Sequence, residues 1–158
     1  MKTLIVYSSQ TSNTKKLADA LYENMAGDKE IFNVGDAPDP EGYDLVAVGF
    51  WFQAGKPDPK SSQYLSRMTE DHRVFLFATH GAGAGSDHVR QGLAHAKGLI
   101  NGAQVAGAFT CQGEVSPQVL EKARQKETPP AWIKDADQAA GHPDASDINA
   151  LISMVRQL

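Results

Sequence analysis

The sequence predicts an α/β fold: one domain over residues 1–158, built on a doubly wound, five-stranded parallel sheet with helices on both faces. Three observations predict it. Short β-branched and apolar runs alternate with helix-spaced stretches five times along the chain. Two of those runs, Asp44–Phe50 and Arg73–Thr79, are apolar almost throughout, as parallel strands covered on both faces are. The unusual loops, Ser8–Thr14, Trp51–Lys60 and His80–Ser86, follow strands one, three and four. They therefore share the carboxyl edge of the sheet, where ligands of such folds sit.

Taken in order, the first strand covers Lys2–Tyr7. A helix follows from Asn13 to Met25, with Leu17, Ala20, Leu21 and Met25 at helical spacing, and it stops near Gly27. Glu30–Val34 is a short second strand, and Gly35–Gly42 a loop with two prolines. The third strand, Asp44–Phe50, opens into the aromatic-headed loop Trp51–Lys60. Ser61 or Ser62 caps a short helix running through Met68. Arg73–Thr79 is strand four, followed by a glycine-rich loop and a helix over Asp87–Ile100. Gln104–Cys111 is strand five. Ser116-Pro117 is a good helix start, serine as cap and proline at the first helical position. Pro129-Pro130 ends that helix by Thr128. Residues 131–143 are read as irregular or only briefly helical. The last helix, Ser146–Gln157, shows Ile148, Leu151, Ile152 and Val155 on one face.

Composition excludes several classes. Hydrophobic residues make up 41% and charged residues 22%, as in a folded globular chain. The net charge of -4 argues against nucleic acid as a partner. No apolar run approaches a membrane span, so no membrane partner is expected. The single cysteine, Cys111, allows no internal disulfide, and no signal-like segment opens the chain; the expected setting is cytoplasmic.

The first loop carries the chemistry. Ser8 to Thr14 is an unbroken run of hydroxyl and amide side chains with no charge, at a strand-to-helix turn. Free N–H groups at a helix start accept an anion, and hydroxyls add donors. A neutral phosphate cradle is one reading; ordinary helix capping is the other.

Ser9-Gln10-Thr11-Ser12-Asn13-Thr14 resembles the phosphate loop of the flavodoxin family, Ser/Thr-x-Thr-Gly-Asn-Thr, at every position but one. Gly49–Lys56 also resembles a short flavodoxin-like subgroup common in anaerobic bacteria. Some of that subgroup are linked to bile-pigment reduction, an association that sets no expectation for this chain. The resemblance implies a flavodoxin-like sheet of order 2-1-3-4-5 and a flavin mononucleotide (FMN) cofactor. It implies that Ser9, Gln10, Thr11, Ser12, Asn13 and Thr14 hold the phosphate. Trp51 or Phe52 packs on the ring, with Gln53, Ala54 and Gly55 beside it and Gly55 at its N5 edge. Thr79, His80 and Gly81 border its pyrimidine side. A phosphate with no cation near it disfavours a reduced, anionic ring, which implies a low potential for the second electron.

Departures from the family pattern matter. Ser12 stands where the pattern has glycine, and costs energy if that position needs φ > 0. The third loop lacks the aromatic residue that members often stack on the outer ring face, leaving His80 to substitute or the face open. The expected function is electron transfer between redox partner proteins. The alternatives are a small FMN-dependent NAD(P)H oxidoreductase, acting on a quinone or another small substrate, and a flavin-free interaction module.

Other motifs fail on spacing. Gly49 to Gly55-Lys56 is one residue too long for a triphosphate loop, and Pro57 stands where Ser or Thr must bind magnesium. Gly81-Ala82-Gly83-Ala84-Gly85 brings its third glycine too early for a dinucleotide fingerprint. His88 and His95 are seven apart on one helix, too far for joint metal binding, and are read as exposed surface residues. Cys111 is read as a packing residue, Lys15 as solvated, and Trp132 as cover for the sheet edge or a partner contact.

Overall fold

The computed structural model describes all residues from Met1 to Leu158. In chain order the elements are β1 (Lys2–Tyr7), α1 (Asn13–Asn24), β2 (Asp28–Asn33), β3 (Leu45–Gln53), β4 (Lys56–Pro57) and α2 (Pro59–Leu65). Then come β5 (Arg73–His80), α3 (Asp87–Leu99), β6 (Gln104–Gln112), α4 (Pro117–Arg124) and α5 (Ala145–Val155). The main sheet is parallel, in the order β2-β1-β3-β5-β6, the doubly wound order expected.

One strand was not foreseen. β3 does not stop at Phe50 but runs on through Trp51, Phe52 and Gln53, and β4 pairs back against it antiparallel. The sheet thus has six strands, not five, and the head of the second loop is a hairpin. The turn is Ala54-Gly55, with φ of 52° and 77°. Two consecutive positive φ values form the tight hairpin turn that matches strand twist. Glycine enters that region without penalty, whereas Ala54 is strained there. α2 accordingly starts at Pro59, capped by the Asp58 carboxylate accepting from the Ser61 N–H, rather than by Ser61 or Ser62.

Period-two alternation sorts the strands into two cores. Leu4, Val6, Val46, Val48, Phe50, Leu76 and Ala78 face α2 and α3, meeting Tyr64, Leu65, Met68, Ala96 and Ile100. Ile5, Ala47, Phe75, Phe77 and Phe109 face α1 and α5, meeting Leu17, Leu21, Leu151 and Val155. Each large side chain buried this way stabilises the fold by about 1.5–3 kcal/mol. Packing across the sheet is close: a Cβ on Gly49 would lie 2.2 Å from the Phe77 ring. The same alternation decides what reaches the carboxyl edge. Thr79 faces α1, and His80 faces Phe52.

The chain after β6 is less regular. α4 leans on a 3₁₀ segment, Ala131–Ala139, within the stretch expected to be irregular or only briefly helical, and only Ala123 of α4 is buried. α5 begins at a reciprocal cap between Asp144 and Asp147. No helix is long and apolar enough to cross a membrane.

Candidate functional site

The three loops selected from the sequence line one cleft of about 250 Å³ at the carboxyl edge of the sheet. The first supplies Ser9, Gln10, Thr11, Asn13 and Thr14. The hairpin supplies Trp51, Phe52, Gln53, Ala54 and Gly55, and the third loop Thr79, His80 and Gly81. Ser12 does not line it. Its role is in the backbone, where its φ of 69° turns the chain into α1. The position that has glycine in the resembling pattern is therefore left-handed, and serine is strained there.

Plain capping does not explain the first loop. Asp58, Ser86, Ser116 and Asp144 cap α2, α3, α4 and α5 by accepting a backbone N–H on the side chain. Ser12 makes no such bond to α1. From Ser9 to Lys15 no backbone N–H donates to a carbonyl or a side-chain acceptor. The Ser9 hydroxyl is buried and also without a partner. Unsatisfied donors at a helix N-terminus form an anion site. The nearest lysine does not neutralise it, because Lys15 Nζ is engaged by Asp19 at 2.8 Å.

Other groups fix the loop. The Thr14 hydroxyl is turned inward, 2.9 Å from the Thr79 hydroxyl and 3.4 Å from the Phe50 carbonyl. Asn13 Nδ2 donates to the Glu114 carbonyl at 2.9 Å. Gly113 permits that approach, since a Cβ there would stand 2.8 Å from Asn13 Nδ2 and 3.1 Å from Thr79 Cβ. The loop after β6 is thus a fourth wall, contributing Gly113, Glu114, Val115 and Ser116.

Phe52 is central to the opposite wall. Its ring centroid lies 5.5 Å from that of His80 and 5.9 Å from that of His88. His80 is buried, and its Nδ1 lies 2.9 Å from the Ala82 carbonyl, so Nδ1 carries the proton and donates. Burial pushes the ring down to about 4, against the bond to Ala82 and helped by His88. His80 is therefore neutral near pH 7, with Nε2 a buried acceptor lacking a partner.

The structure corrects two histidine and aromatic readings. His88 is not on the open surface. It is half-buried in the cleft wall, with Cε1 3.3 Å from where a Gly55 Cβ would be. Its signal was its place in the first turn of α3, directly after the third loop. Trp132 comes into the cleft from the 3₁₀ segment, joined by Val115 and Val119, and packs beside Gly81. The aromatic cover missing from the third loop is thus supplied from fifty residues further on, which no local pattern reveals. His95 is exposed and Cys111 buried, as read, and burial pushes the Cys111 thiol up to about 12.

With this geometry in hand, likenesses to known proteins can be weighed. The flavodoxin-like domain-containing protein BilS of Clostridioides difficile (strain CD3) is 28% identical over 160 residues, covering 94% of this chain and 90% of that protein. The flavodoxin of Streptococcus pneumonia TIGR4 superposes with a TM-score of 0.66 at 12% identity, covering 100% and 97% of the two chains. A flavoprotein from Lactobacillus acidophilus NCFM, solved in complex with FMN, superposes with a TM-score of 0.56 at 22% identity, covering 69% and 92%. At such identities the two structures speak for the fold alone. A model of the flavodoxin domain, however, matches residues 4–156, nearly the whole chain. By fold, loop pattern and that match, the chain belongs to the flavodoxin domain family.

Proposed function

We propose that the cleft binds FMN noncovalently and that the protein carries electrons between redox partner proteins. The observation that carries this reading is the run of unpaired N–H groups from Ser9 to Lys15 at the start of α1, opening into a cleft walled by aromatic rings. The residues fit the cofactor at both ends. An orphaned Ser9 hydroxyl and free amides suit a phosphate dianion. Phe52, Trp51 and Trp132 suit a flat, largely apolar ring system.

FMN supplies one- and two-electron transfer at its ring when bound. The chain's own residues bind and orient it. The free amides and hydroxyls of the Ser9–Thr14 loop would hold its phosphate by neutral donors, while the Ala54-Gly55 turn, Phe52 and an uncharged His80 would line the space for its ring. Val115, Val119 and Trp132 line the cleft from the chain after β6, and side chains there leave less room for a nicotinamide to stack, which favours a carrier over an enzyme.

Titrating the purified protein into FMN tests the reading. Quenching of flavin fluorescence with saturation at one equivalent is expected, and unchanged fluorescence overturns it. Mixing the FMN-loaded protein with NADPH alone tests the carrier role. The flavin colour should persist, and rapid bleaching would make the protein an oxidoreductase in its own right.

A further inference from the structure

A short chain of hydrogen bonds links the Ser9–Thr14 loop to the start of α5. Asn13 Nδ2 donates to the Glu114 carbonyl at 2.9 Å. The Glu114 N–H donates to the His142 carbonyl at 2.8 Å. The His142 ring is itself held, with Nδ1 2.6 Å from Asp147 Oδ2 and 3.7 Å from Asp144 Oδ2. Those two aspartates cap α5 reciprocally: the Asp147 N–H donates to Asp144 Oδ1 at 3.0 Å, and the Asp144 N–H to Asp147 Oδ2 at 2.8 Å. One residue therefore joins the N-terminus of α5 to the backbone that holds Asn13.

We propose that His142 is a positioning residue for the cleft: its protonated ring, clamped by Asp147, fixes the segment that holds Asn13 through Glu114, and so tunes how tightly the Ser9–Thr14 loop binds its ligand. This rests on the reading that the cleft binds FMN. A protonated imidazole on a carboxylate makes a charge-assisted bond about twice as strong as a neutral one. The ring is 28% exposed, so solvent protons reach it. The bond to Asp147 raises its titration above the ordinary 6.5, burial opposes that rise, and the charges of Asp147 and Asp144 add to it. Cys111, which feels the same two carboxylates from the end of β6, stays a neutral thiol in this range. The folded-state value is raised, so the charge-assisted part of the clamp is fully present below 6.5 and is lost as pH rises through the raised value, leaving a neutral Nδ1–H bond.

FMN affinity measured by fluorescence between about pH 6.5 and 9 reads this directly. A phosphate monoester is halfway through its second ionisation at about pH 6 and nearly through it at about pH 7, so the ligand contributes little slope above that. In the unmodified protein the dissociation constant should weaken about three- to tenfold across the His142 titration. His142→Gln keeps the backbone link and an amide donor but cannot titrate, and its profile should be flat. Asp147→Asn keeps an acceptor for the Asp144 N–H and removes the charge, so the midpoint should move down. Parallel profiles for the unmodified protein and His142→Gln overturn the proposal. A second readout needs no ligand. The side-chain amide signal of Asn13, followed by NMR in the flavin-free protein, should shift with the His142 midpoint and stay still in His142→Gln. A signal static in both overturns the proposal whether or not FMN binds, whereas absent FMN binding at every pH sinks the flavin reading alone.

Discussion

The hydroxyl of Thr14, in the first turn of α1, lies 2.9 Å from the hydroxyl of Thr79 near the end of β5. Both residues are buried, and Thr14 also reaches the Phe50 carbonyl at 3.4 Å. This contact ties the Ser9–Thr14 loop to the two strands that carry the other walls of the cleft. Thr14→Val keeps the shape but leaves the Thr79 hydroxyl without its partner. It should cost about 1–3 kcal/mol in chemical denaturation. Thr14→Val with Thr79→Val should cost less than the sum of the two single changes, because they share one interaction. Additive losses would mean that the two hydroxyls do not act as a pair.

Ser12 sits at φ 69° without a side-chain cap bond. Glycine occupies that region without a Cβ clash, so Ser12→Gly should raise stability by about 0.5–1 kcal/mol. FMN should bind at least as tightly, since the loop is already bent to this shape. A loss of stability would show that the serine makes an interaction that outweighs its strain.

Thr11 is exposed and lines the cleft within the Ser9–Thr14 loop. Thr11→Asp should leave the fold intact and repel a phosphate. FMN binding should therefore weaken much more than riboflavin binding, which lacks the phosphate. Equal losses for the two ligands, read from fluorescence titrations, would move the phosphate elsewhere.

His80 gives a pH signature. Its ring falls from the ordinary 6.5 to about 4 on burial. Between those values the unfolded chain binds the proton and the folded chain does not, so stability falls as pH drops through this window. The shift corresponds to about 3 kcal/mol, lost by about pH 4. His80→Gln cannot take the proton, and its denaturation midpoint should fall less over the same range. Matching pH profiles for the two proteins would exclude His80 as the source.

Much of the fold was legible because its signals are local. Lys2–Tyr7 is β1 to the residue, and the strands over 73–80 and 104–112 differ from the reading only by one residue at the carboxyl end. Apolar runs in buried parallel strands and 3.6-spaced faces in helices are written within a few residues of each other. The hairpin was missed because Trp51-Phe52-Gln53 carries no alternation, and its turn uses Ala54-Gly55 instead of a residue pair that announces one. The candidate site was legible as three loops on one edge, and its fourth wall only in part. Gly113-Glu114, at the tail of the last strand, falls on the same carboxyl edge and so offers a contact, though a plain loop is the simpler reading of the sequence there. Nothing near Val119 or Trp132 signals a cleft, because their contribution comes from being folded back over the sheet.

The sequence by itself determined the doubly wound parallel sheet and the uncharged, hydroxyl-rich character of the first loop, while the strand order came with the family resemblance. The first two follow from chain-local pattern and from the rule that parallel strands present their carboxyl ends together. Tertiary structure alone decided which groups meet there. Strand register sets Thr79 against Thr14 and His80 against Phe52, and burial then fixes the charge state of His80. A side-chain amide hydrogen bond spanning 101 residues holds Asn13 to the Glu114 carbonyl, and the 3₁₀ segment brings Trp132 into the cleft beside Gly81. Residue identity sets what each group can do; the contacts and dielectric around it exist only once the chain is packed.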